Sequence, residues 1–314
     1  MYTLNLESKK SIREVFGKKL ADLGKRFPNV VVLDADLSAS TQTKFFAKEF
    51  PDRFFDVGIA EQDLIATASG LALTGKIPFA AAFAVFITGR AYDQVRMSVC
   101  YQKANVKIIG THGGITVGED GATHQALEDI SLMRGLPGMQ VIVPSDCNEC
   151  EQVLEYAVKH DGPVYIRIAR NSLPDIYAND YKFDVNKAVM LKEGCEVTLI
   201  SNGDVLSETL KASEILSANG IDAEVISIPV VKPIDKSTII ESIKKTKRAV
   251  TIENHSIFGG LGSAVCEVLS ENYPAQVLRI GINDKFGQSG KADELLTEYG
   301  LDSANIAKRI MEIL

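Results

Sequence analysis

The stretch NVKIIGTHGGITVGEDGATHQALED (residues 105–129) joins a short apolar run to a glycine-rich loop, residues 111–129. The apolar run is typical of a buried strand, and the loop after it carries His112, Glu119, Asp120, His124 and Gln125. Ligands bind at the carboxyl ends of strands in doubly wound sheets, and such polar groups are seldom buried without partners. The loop therefore predicts a functional site, with a solvated surface loop as the alternative.

Similar apolar runs occur on both sides of this stretch and alternate with helical segments. Continuous apolar strands separated by helices indicate a mostly parallel sheet that is covered on both faces. The predicted strands are 29–34, 53–59, 77–83, 105–110, 139–144 and 163–168, and the predicted helices between them are 61–73, 90–103 and 148–159.

The alternation stops between residues 173 and 192, where the sequence is polar and irregular, and then resumes. The pattern predicts an α/β protein with two doubly wound domains: a first domain over 1–175, a linker over 176–192 and a smaller second domain over 193–314. In the second domain the predicted strands are 196–201, 223–228, 248–253 and 276–280, and the predicted helices are 205–219, 234–245 and 262–272.

The composition narrows the functional class. The chain has 314 residues, 46% of them hydrophobic, with a formal net charge of −7. That length can bury two cores, and the negative charge argues against nucleic acid or a membrane surface as a partner. We find no apolar run of membrane-spanning length and no signal-peptide core at the N-terminus. Five scattered cysteines fit a reducing cytoplasm.

Two further motifs favour structural explanations. Cys147 and Cys150 form a CxxC pair, but a zinc site needs four ligands and no second pair follows at a suitable spacing. Asp146 or Ser145 can cap a helix whose first turns carry both cysteines. The segment GGLGSAV (259–265) loosely resembles a dinucleotide fingerprint without its spacing, so we interpret it as a glycine-rich helix start packed on the sheet.

The segment VGIAEQDLIATASGLAL (57–73) starts at a strand end and continues into a helix with Glu61 in its first turn. Its many small side chains let another backbone approach closely, which predicts packing in an interior or an interface. Taken alone, Glu61 is equally consistent with a carboxylate that stabilises the helix dipole.

Several motifs in a fixed order make the chain similar to the transketolase family. The resemblance runs nearly end to end and implies a thiamine-diphosphate pyrimidine-binding domain followed by a smaller transketolase-type C-terminal domain. The motif GIAEQ is shared with deoxyxylulose-phosphate synthase. That enzyme usually lacks an acid at the position of Glu119 in GEDG, so Glu119 favours transketolase. The motifs are SIREVFG (11–17), ADLSAS (35–40), VGIAEQ (57–62), AYDQVR (91–96), GEDGATHQ (118–125), VIVPSD (141–146) and ENHSIFGGLGSAV (253–265).

The resemblance implies residues for thiamine diphosphate. Glu61 matches the carboxylate that activates the aminopyrimidine ring and is therefore a predicted catalytic residue. Phe83 and Phe86 match the aromatic wall of that ring, with core packing as the alternative, and Asp36 matches an acidic residue near the cofactor. Gly89 departs from the family pattern, because transketolases usually have a tyrosine there.

A second set of matches implies a sugar phosphate as substrate. Asp120 matches the residue that reads a substrate hydroxyl, and His124 matches a substrate-contacting, proton-shuttling histidine. Two guanidinium groups, a hydroxyl and an imidazole suit a bound anion. The family's phosphate-binding positions correspond here to Arg13, Ser40, His112 and Arg170.

The chain lacks the GDG motif with which the family binds the diphosphate and its metal in an N-terminal domain, since NGD (202–204) has the wrong order. The resemblance therefore implies the C-terminal subunit of a split transketolase, whose N-terminal partner subunit holds Mg²⁺ or Ca²⁺. We expect no metal site in this chain, a homodimer within a heterotetramer, and ketol transfer only with both subunits.

Two alternatives stay open at this point. The β subunit of a 2-oxo acid dehydrogenase has the same two domains and a similar GIAEQ segment, but it normally lacks GEDG-x-THQ and the phosphate set. A non-catalytic homologue is the other alternative, and the presence of Glu61, Asp120 and His124 argues against it.

Overall fold

The computed structural model describes the backbone of residues 2–314 and the side chains of Asn5 and of residues 8–314. The first domain contains strands β1 to β8 and helices α1 to α7. The strands are Tyr2–Ser11, Val30–Asp34, Phe54–Asp56, Ile77–Phe83, Lys107–Thr111, Gln140–Ile142, Val164–Ile168 and Ser172–Tyr177. The helices are Ile12–Arg26, Ser38–Thr41, Lys44–Glu49, Glu61–Leu73, Tyr92–Gln94, Asp129–Arg134 and Cys147–Lys159, with 3₁₀ turns at Pro51–Arg53 and Ile115–Asp120 and π-helical turns at Val85–Arg90 and Val95–Cys100.

The second domain contains strands β9 to β14 and helices α8 to α12. The strands are Val189–Lys192, Val197–Ser201, Ala223–Ser227, Val230–Lys232, Arg248–Ser256 and Gln276–Ile282. The helices are Leu206–Ala218, Lys236–Thr246, Leu261–Asn272, Ala292–Glu298 and Ser303–Met311, with a 3₁₀ turn at Gly203–Val205.

The first domain is built on a seven-stranded sheet in the order β12-β6-β7-β5-β4-β2-β3. All neighbours are parallel except β12 and β6. Buried apolar side chains cover one face around Leu33, Ile108 and Val141 and the other face around Phe16, Phe79 and Ile166. The predicted parallel sheet with two covered faces is therefore confirmed.

The second sheet has the order β14-β13-β10-β11-β9, parallel except for the edge strand β9. One strand of the second domain leaves it: β12 pairs antiparallel with β6 and so extends the first sheet. A strand from the second half of the chain thus belongs to the first sheet, which the separate domain ranges 1–175 and 193–314 do not anticipate. Those ranges stay a prediction.

The segment predicted as an irregular linker, 176–192, is ordered at both ends. Strand β8 ends at Tyr177 and pairs antiparallel with β1, and strand β9 begins at Val189 on the second sheet. The backbone N–H groups of Ile176 and Tyr177 also donate to the carboxylate of Asp146, at 2.9 and 2.8 Å. These partners lie far away along the chain, so the local sequence could not indicate them.

The helix predicted over 90–103 starts earlier and is irregular. Residues 85–100 form two π-helical turns around the short helix α5. Helix α4 has the predicted bounds, with Leu64, Ile65 and Ala68 buried and Ala66 and Gly70 exposed. The small side chains therefore line an outward face as well as the core. No helix within the described residues is long and apolar enough to cross a membrane.

The two motifs with structural explanations fold as expected. Asp146 caps α7 by accepting from the N–H of Glu149 at 2.8 Å, and both cysteines of the CxxC pair are buried. The glycine-rich start of α10 receives a carboxylate from within the domain: Glu253 accepts from the N–H groups of Leu261 and Gly262 at 2.7 and 2.9 Å. An internal acid thus takes the place that a phosphate would have at such a helix start.

Candidate active site

The predicted site residues collect at one edge of the first sheet. Phe83, Thr111 and Ile168 are the last residues of β4, β5 and β7, and they are partners in register. His112 and Arg170 follow these strands directly. Parallel strands place their carboxyl ends together, so the sheet itself assembles residues that are distant in sequence.

Three polar side chains and the backbone carbonyl of Ser40 form one half of the site. Arg13, in the first turn of α1, donates through Nε to the carbonyl of Arg170 at 3.1 Å and through Nη1 to the carbonyl of Ser40 at 2.6 Å. The same Nη1 lies 3.4 Å from Nε2 of His112. We call Arg13, Ser40, His112 and Arg170 the anion cluster.

The charges within the anion cluster repel one another. Burial and the neighbouring Arg170 lower the pKa of Arg13. Burial, followed by the charges of Arg13 and Arg170, lowers the pKa of His112 to about 3. An anion placed here would relieve this repulsion, so the electrostatics suit a phosphate or a similar group.

The ring of His112 has a defined tautomer. Arg13 can only donate, so Nε2 of His112 accepts and Nδ1 carries the proton. Nδ1 then donates to the hydroxyl of Thr111 at 2.9 Å, and that hydroxyl donates to the carbonyl of Ala82 at 3.3 Å. His112 has a φ of +59°, a strained conformation for a residue with a side chain. These bonds and this strain fix the ring beside Arg13.

The glycine-rich loop brings Asp120 near the anion cluster. A carboxylate oxygen of Asp120 lies 3.8 Å from Nη1 of Arg170, whose guanidinium also donates to the carbonyl of Val117. Gly114, Gly118 and Gly121 all have φ near +80°. Only glycine adopts that conformation without strain, which explains the glycine content of the loop.

Aromatic rings form the other half of the site. Phe83 stacks on His112 with ring centroids 3.8 Å apart, and Phe83 and Phe86 are nearly parallel at 6.0 Å. His124 meets Phe86 edge-on at 5.3 Å and Phe83 at 6.0 Å. The predicted aromatic pair and the two histidines are therefore one continuous cluster.

Glu61 lies beside this cluster, on the first turn of α4, with a side chain that is 2% exposed. Nη1 of Arg90 donates to its carboxylate at 2.8 Å, and the Arg90 guanidinium lies 4.5 Å from the centre of the Phe86 ring. The sequence reasoning missed Arg90. No local signal indicated it, because the pairing depends on the turn over residues 85–90 meeting the start of α4.

Asp36 lies in the loop between β2 and α2, before Ser40. Its side chain is exposed, its φ is +60°, and its backbone N–H donates to Asp56 at 3.0 Å. Within the part of the chain that the structure describes, no hydrogen bond or ion pair joins the Asp36 side chain to the cluster. The structure thus links nine of the ten predicted residues by direct bonds or ring contacts, and the place of Asp36 in the site stays a prediction. The nine are Arg13, Ser40, Glu61, Phe83, Phe86, His112, Asp120, His124 and Arg170.

A buried acid that the sequence reasoning also missed organises the loop of Ser40. Asp34, at the end of β2, accepts from the N–H of Leu37 at 2.6 Å and from the hydroxyls of Thr41 and Thr43 at 2.7 and 2.8 Å. This bonding sets the position of the Ser40 carbonyl that receives Arg13.

Comparison with known protein families assigns this chain to a family. A family model described as the transketolase pyrimidine-binding domain matches residues 8–175, and one described as the transketolase C-terminal domain matches residues 186–306. The chain belongs to the transketolase family. Together the two models span most of the chain, so the resemblance inferred from the motifs is confirmed.

The most similar transketolase relatives include single sections of the enzyme. A putative transketolase C-terminal section from Methanocaldococcus jannaschii is 52% identical over 96% of this chain and 96% of its own length. A 6-deoxy-6-sulfo-D-fructose transketolase subunit from a Clostridium species is 40% identical over 96% of this chain and 94% of that protein. A solved structure titled as a split-gene transketolase, inactive β4 tetramer, superposes with a TM-score of 0.90 at 47% identity, covering 96% of this chain and 97% of the other.

These matches make the chain a C-terminal section of a split transketolase, and membership of the family implies dependence on thiamine diphosphate. The residues present fit the pyrimidine half of that cofactor. Glu61 offers a buried carboxylate whose partner Arg90 lies over the ring of Phe86, and an acid next to an aromatic ring suits the polar edge and the flat face of an aminopyrimidine. Among the described residues there is no group of three or more His, Cys, Asp or Glu that could hold a metal ion.

Proposed function

We propose that this chain, together with an N-terminal transketolase subunit, transfers a two-carbon ketol unit from a ketose phosphate to an aldose phosphate. The observation that carries the proposal is the meeting of the anion cluster with Glu61, Phe86 and His124 at one sheet edge. A cofactor-activating carboxylate, a histidine for proton transfer and a phosphate cradle are the parts that this reaction needs.

Each residue has a role that its surroundings support. Glu61 would hold a ring nitrogen of the bound cofactor through its carboxylate, and Phe86 would pack against the ring. Thiamine diphosphate, when bound, supplies a nucleophilic carbon and an electron sink for cleavage beside the ketose carbonyl. Water exclusion at the buried Glu61 strengthens its contact with the ring.

The substrate would lie between His124 and the anion cluster. His124 is half-buried beside Phe86 and can pass a proton to or from a substrate oxygen. Asp120 would accept a hydrogen bond from a substrate hydroxyl, and the guanidinium groups of Arg13 and Arg170 would hold the phosphate at the far end. His112 would join them by taking up a proton on Nε2, which a bound anion favours. We also assign Asp36 to the rim of the cofactor site, which it would reach only with the partner subunit present.

The partner subunit would supply the diphosphate cradle and its Mg²⁺ or Ca²⁺ ion. We propose an assembly of two copies of each subunit, with the two copies of this chain in contact. The outward face of α4 supports such a contact, because Ala66 and Gly70 are exposed and the neighbouring Ile59 and Leu73 are 76% and 68% exposed. A pentose-phosphate role and a cytoplasmic location stay predictions.

Reconstitution tests the proposal. Purified chain is combined with the N-terminal transketolase subunit, thiamine diphosphate and Mg²⁺, and ketol transfer is measured with a pentulose phosphate, a sulfonated ketose and a 2-oxo acid. We expect transfer from a ketose that carries an anionic group. Turnover of the 2-oxo acid alone would instead indicate a dehydrogenase subunit, and a lack of any turnover would indicate a non-catalytic homologue.

A further inference from the structure

The glycine-rich loop of the first domain is held by a buried polar group from the second. Asn254, on β13, accepts through Oδ1 from the backbone N–H of Ile115 at 2.9 Å. Its Nδ2 donates to Asp204 at 2.9 Å and to the hydroxyl of Thr116 at 3.1 Å, and that hydroxyl donates to Asp204 at 2.5 Å. Asn254, Asp204 and Thr116 are all at most 8% exposed. We call Asn254 and Asp204 the loop anchor.

The backbone fits closely around the loop anchor. Gly114 has a φ of +79°, and a Cβ built on it would lie 2.3 Å from Cγ of Asn254. Any other residue would therefore push the loop away from the second domain. Glycine is therefore required at position 114 for two reasons, the positive φ and the close contact with Asn254.

Further bonds hold both Asn254 and the end of the loop. Arg167, at the end of β7, donates to the backbone carbonyls of Asn254 and Ala126, both at 3.0 Å. Gln125 donates to the carbonyl of Ile115 at 3.1 Å and to that of Gln288, in the second domain, at 3.0 Å. Bonds from the second domain thus reach the loop on both sides of Asp120.

The loop could not keep this shape by itself. Its glycines at positive φ have unusually high conformational freedom, and ordering a backbone residue costs roughly 1–2 kcal/mol. Buried groups that are fully hydrogen-bonded specify a single geometry. Asp120 and His124 belong to this loop, whereas Glu61 and Phe86 lie on other elements.

We propose that Asn254 and Asp204 are positioning residues for the sugar-phosphate site: the second domain fixes the glycine-rich loop so that Asp120 and His124 face the substrate. The substrate part of this inference rests on the proposed function. The hold on the loop rests on the hydrogen bonds alone, so the two parts can be tested separately.

A swap of donor and acceptor tests the inference. Asn254→Asp puts a second carboxylate against Asp204 and should release the loop. The double variant Asn254→Asp with Asp204→Asn restores one amide and one carboxylate. It should therefore return the loop to its wild-type conformation. Ser213→Ala is the control, because Ser213 is a buried polar residue of the same domain whose hydroxyl donates instead to the carbonyl of Leu210 at 2.7 Å.

Hydrogen exchange of the isolated chain gives the first measurement. We expect amide protection at residues 113–121 to fall about 10-fold or more in Asn254→Asp, with β10 unchanged, and to return in the double variant. Equal loss of protection in β10, or the same loss at the loop in Ser213→Ala, would mean general loosening and would overturn the inference.

Kinetics of the reconstituted complex give the second measurement. Asn254→Asp should lower kcat/KM for the sugar phosphate about 10-fold or more and leave the cofactor Kd unchanged, with recovery in the double variant, because Asp120 and His124 both lie on the released loop. An unchanged kcat/KM despite a released loop would overturn the positioning role. If the wild-type complex shows no ketol transfer, the proposed function fails, while the exchange measurement still decides whether the anchor holds the loop.

Discussion

The carboxylate of Glu61 and the guanidinium of Arg90 form an ion pair of 2.8 Å, and that guanidinium lies 4.5 Å from the centre of the Phe86 ring. Glu61 is almost fully buried, whereas half of the Arg90 side chain is exposed. The pair therefore joins the predicted catalytic carboxylate to an open surface. Glu61 keeps a hydrogen-bonding partner in this chain without any group from outside it.

The first prediction concerns Glu61 in catalysis. Glu61→Gln should preserve the fold and the association with the partner but lower turnover at least roughly 100-fold, the range of lost acid–base catalysis. Steady-state kinetics of the reconstituted complex measure this. Asp63→Asn is the control, because it makes the same acid-to-amide change at an exposed position of the same helix turn. Near-normal turnover of the Glu61→Gln complex would remove Glu61 from the catalytic set.

The second prediction concerns the strength of the Glu61–Arg90 pair. Because Arg90 is half exposed, solvent screens the interaction, and a coupling of only about 0.5–1 kcal/mol is expected. A double-mutant cycle of Glu61→Gln and Arg90→Ala, followed by urea unfolding of the isolated chain, measures it. A coupling of zero would show that the two side chains do not interact in solution.

The third prediction concerns phosphate recognition. Arg170→Ala removes a charged donor from the anion cluster. It should weaken the binding of phosphorylated substrates by about 2–3 kcal/mol. Unphosphorylated analogues should lose much less. The comparison of kcat/KM for both substrate types decides the matter, and equal losses would show that Arg170 is not a phosphate ligand.

The fourth prediction concerns dependence on the partner subunit. The isolated chain should bind thiamine diphosphate weakly or not at all in the presence of Mg²⁺, because the diphosphate carries most of the cofactor's charge. Calorimetry with and without the N-terminal subunit tests this, together with the turnover assay. Tight, magnesium-dependent binding by the isolated chain would contradict the split-subunit assembly.

The fifth prediction concerns the pH dependence of stability. Burial and the neighbouring Asp146 raise the pKa of Glu149 to about 8 from its ordinary value of 4.5. The folded chain therefore binds a proton that the unfolded chain releases, and stability should fall as the pH rises between about 4.5 and 8.

The variant Glu149→Gln tests this sign, because glutamine stays neutral and can keep the bonds to Ser145 and Tyr181. Urea midpoints from pH 5 to 8.5 should decline less steeply than in the wild type. Glu151→Gln, on the exposed face of the same helix, should leave the slope as it is. If Glu149→Gln leaves the slope of urea midpoint against pH unchanged, another group binds the proton that stabilises the folded chain.

Much of the fold was predictable because the relevant signals are local. Apolar runs such as 77–83 and 223–228 coincide with strands β4 and β11, and the helix of Glu61 has its predicted bounds. Strands β1, β8, β9 and β12 escaped prediction because they are polar or short and depend on pairing with distant segments. The π-helical turns over residues 85–100 have no simple periodicity to detect.

The sequence alone determined the lineage, the parallel first sheet and the residue types of the site, because motif order and apolar periodicity are written along the chain. Only the tertiary structure decided which of these residues meet. The ion pair of Arg90 with Glu61, the bond from the N–H of Asp36 to Asp56 and the anchor at Asn254 all depend on contacts between elements far apart in sequence. Such contacts form because parallel strands end at a common edge and because buried polar groups must find partners, and neither condition is visible in a local stretch of residues.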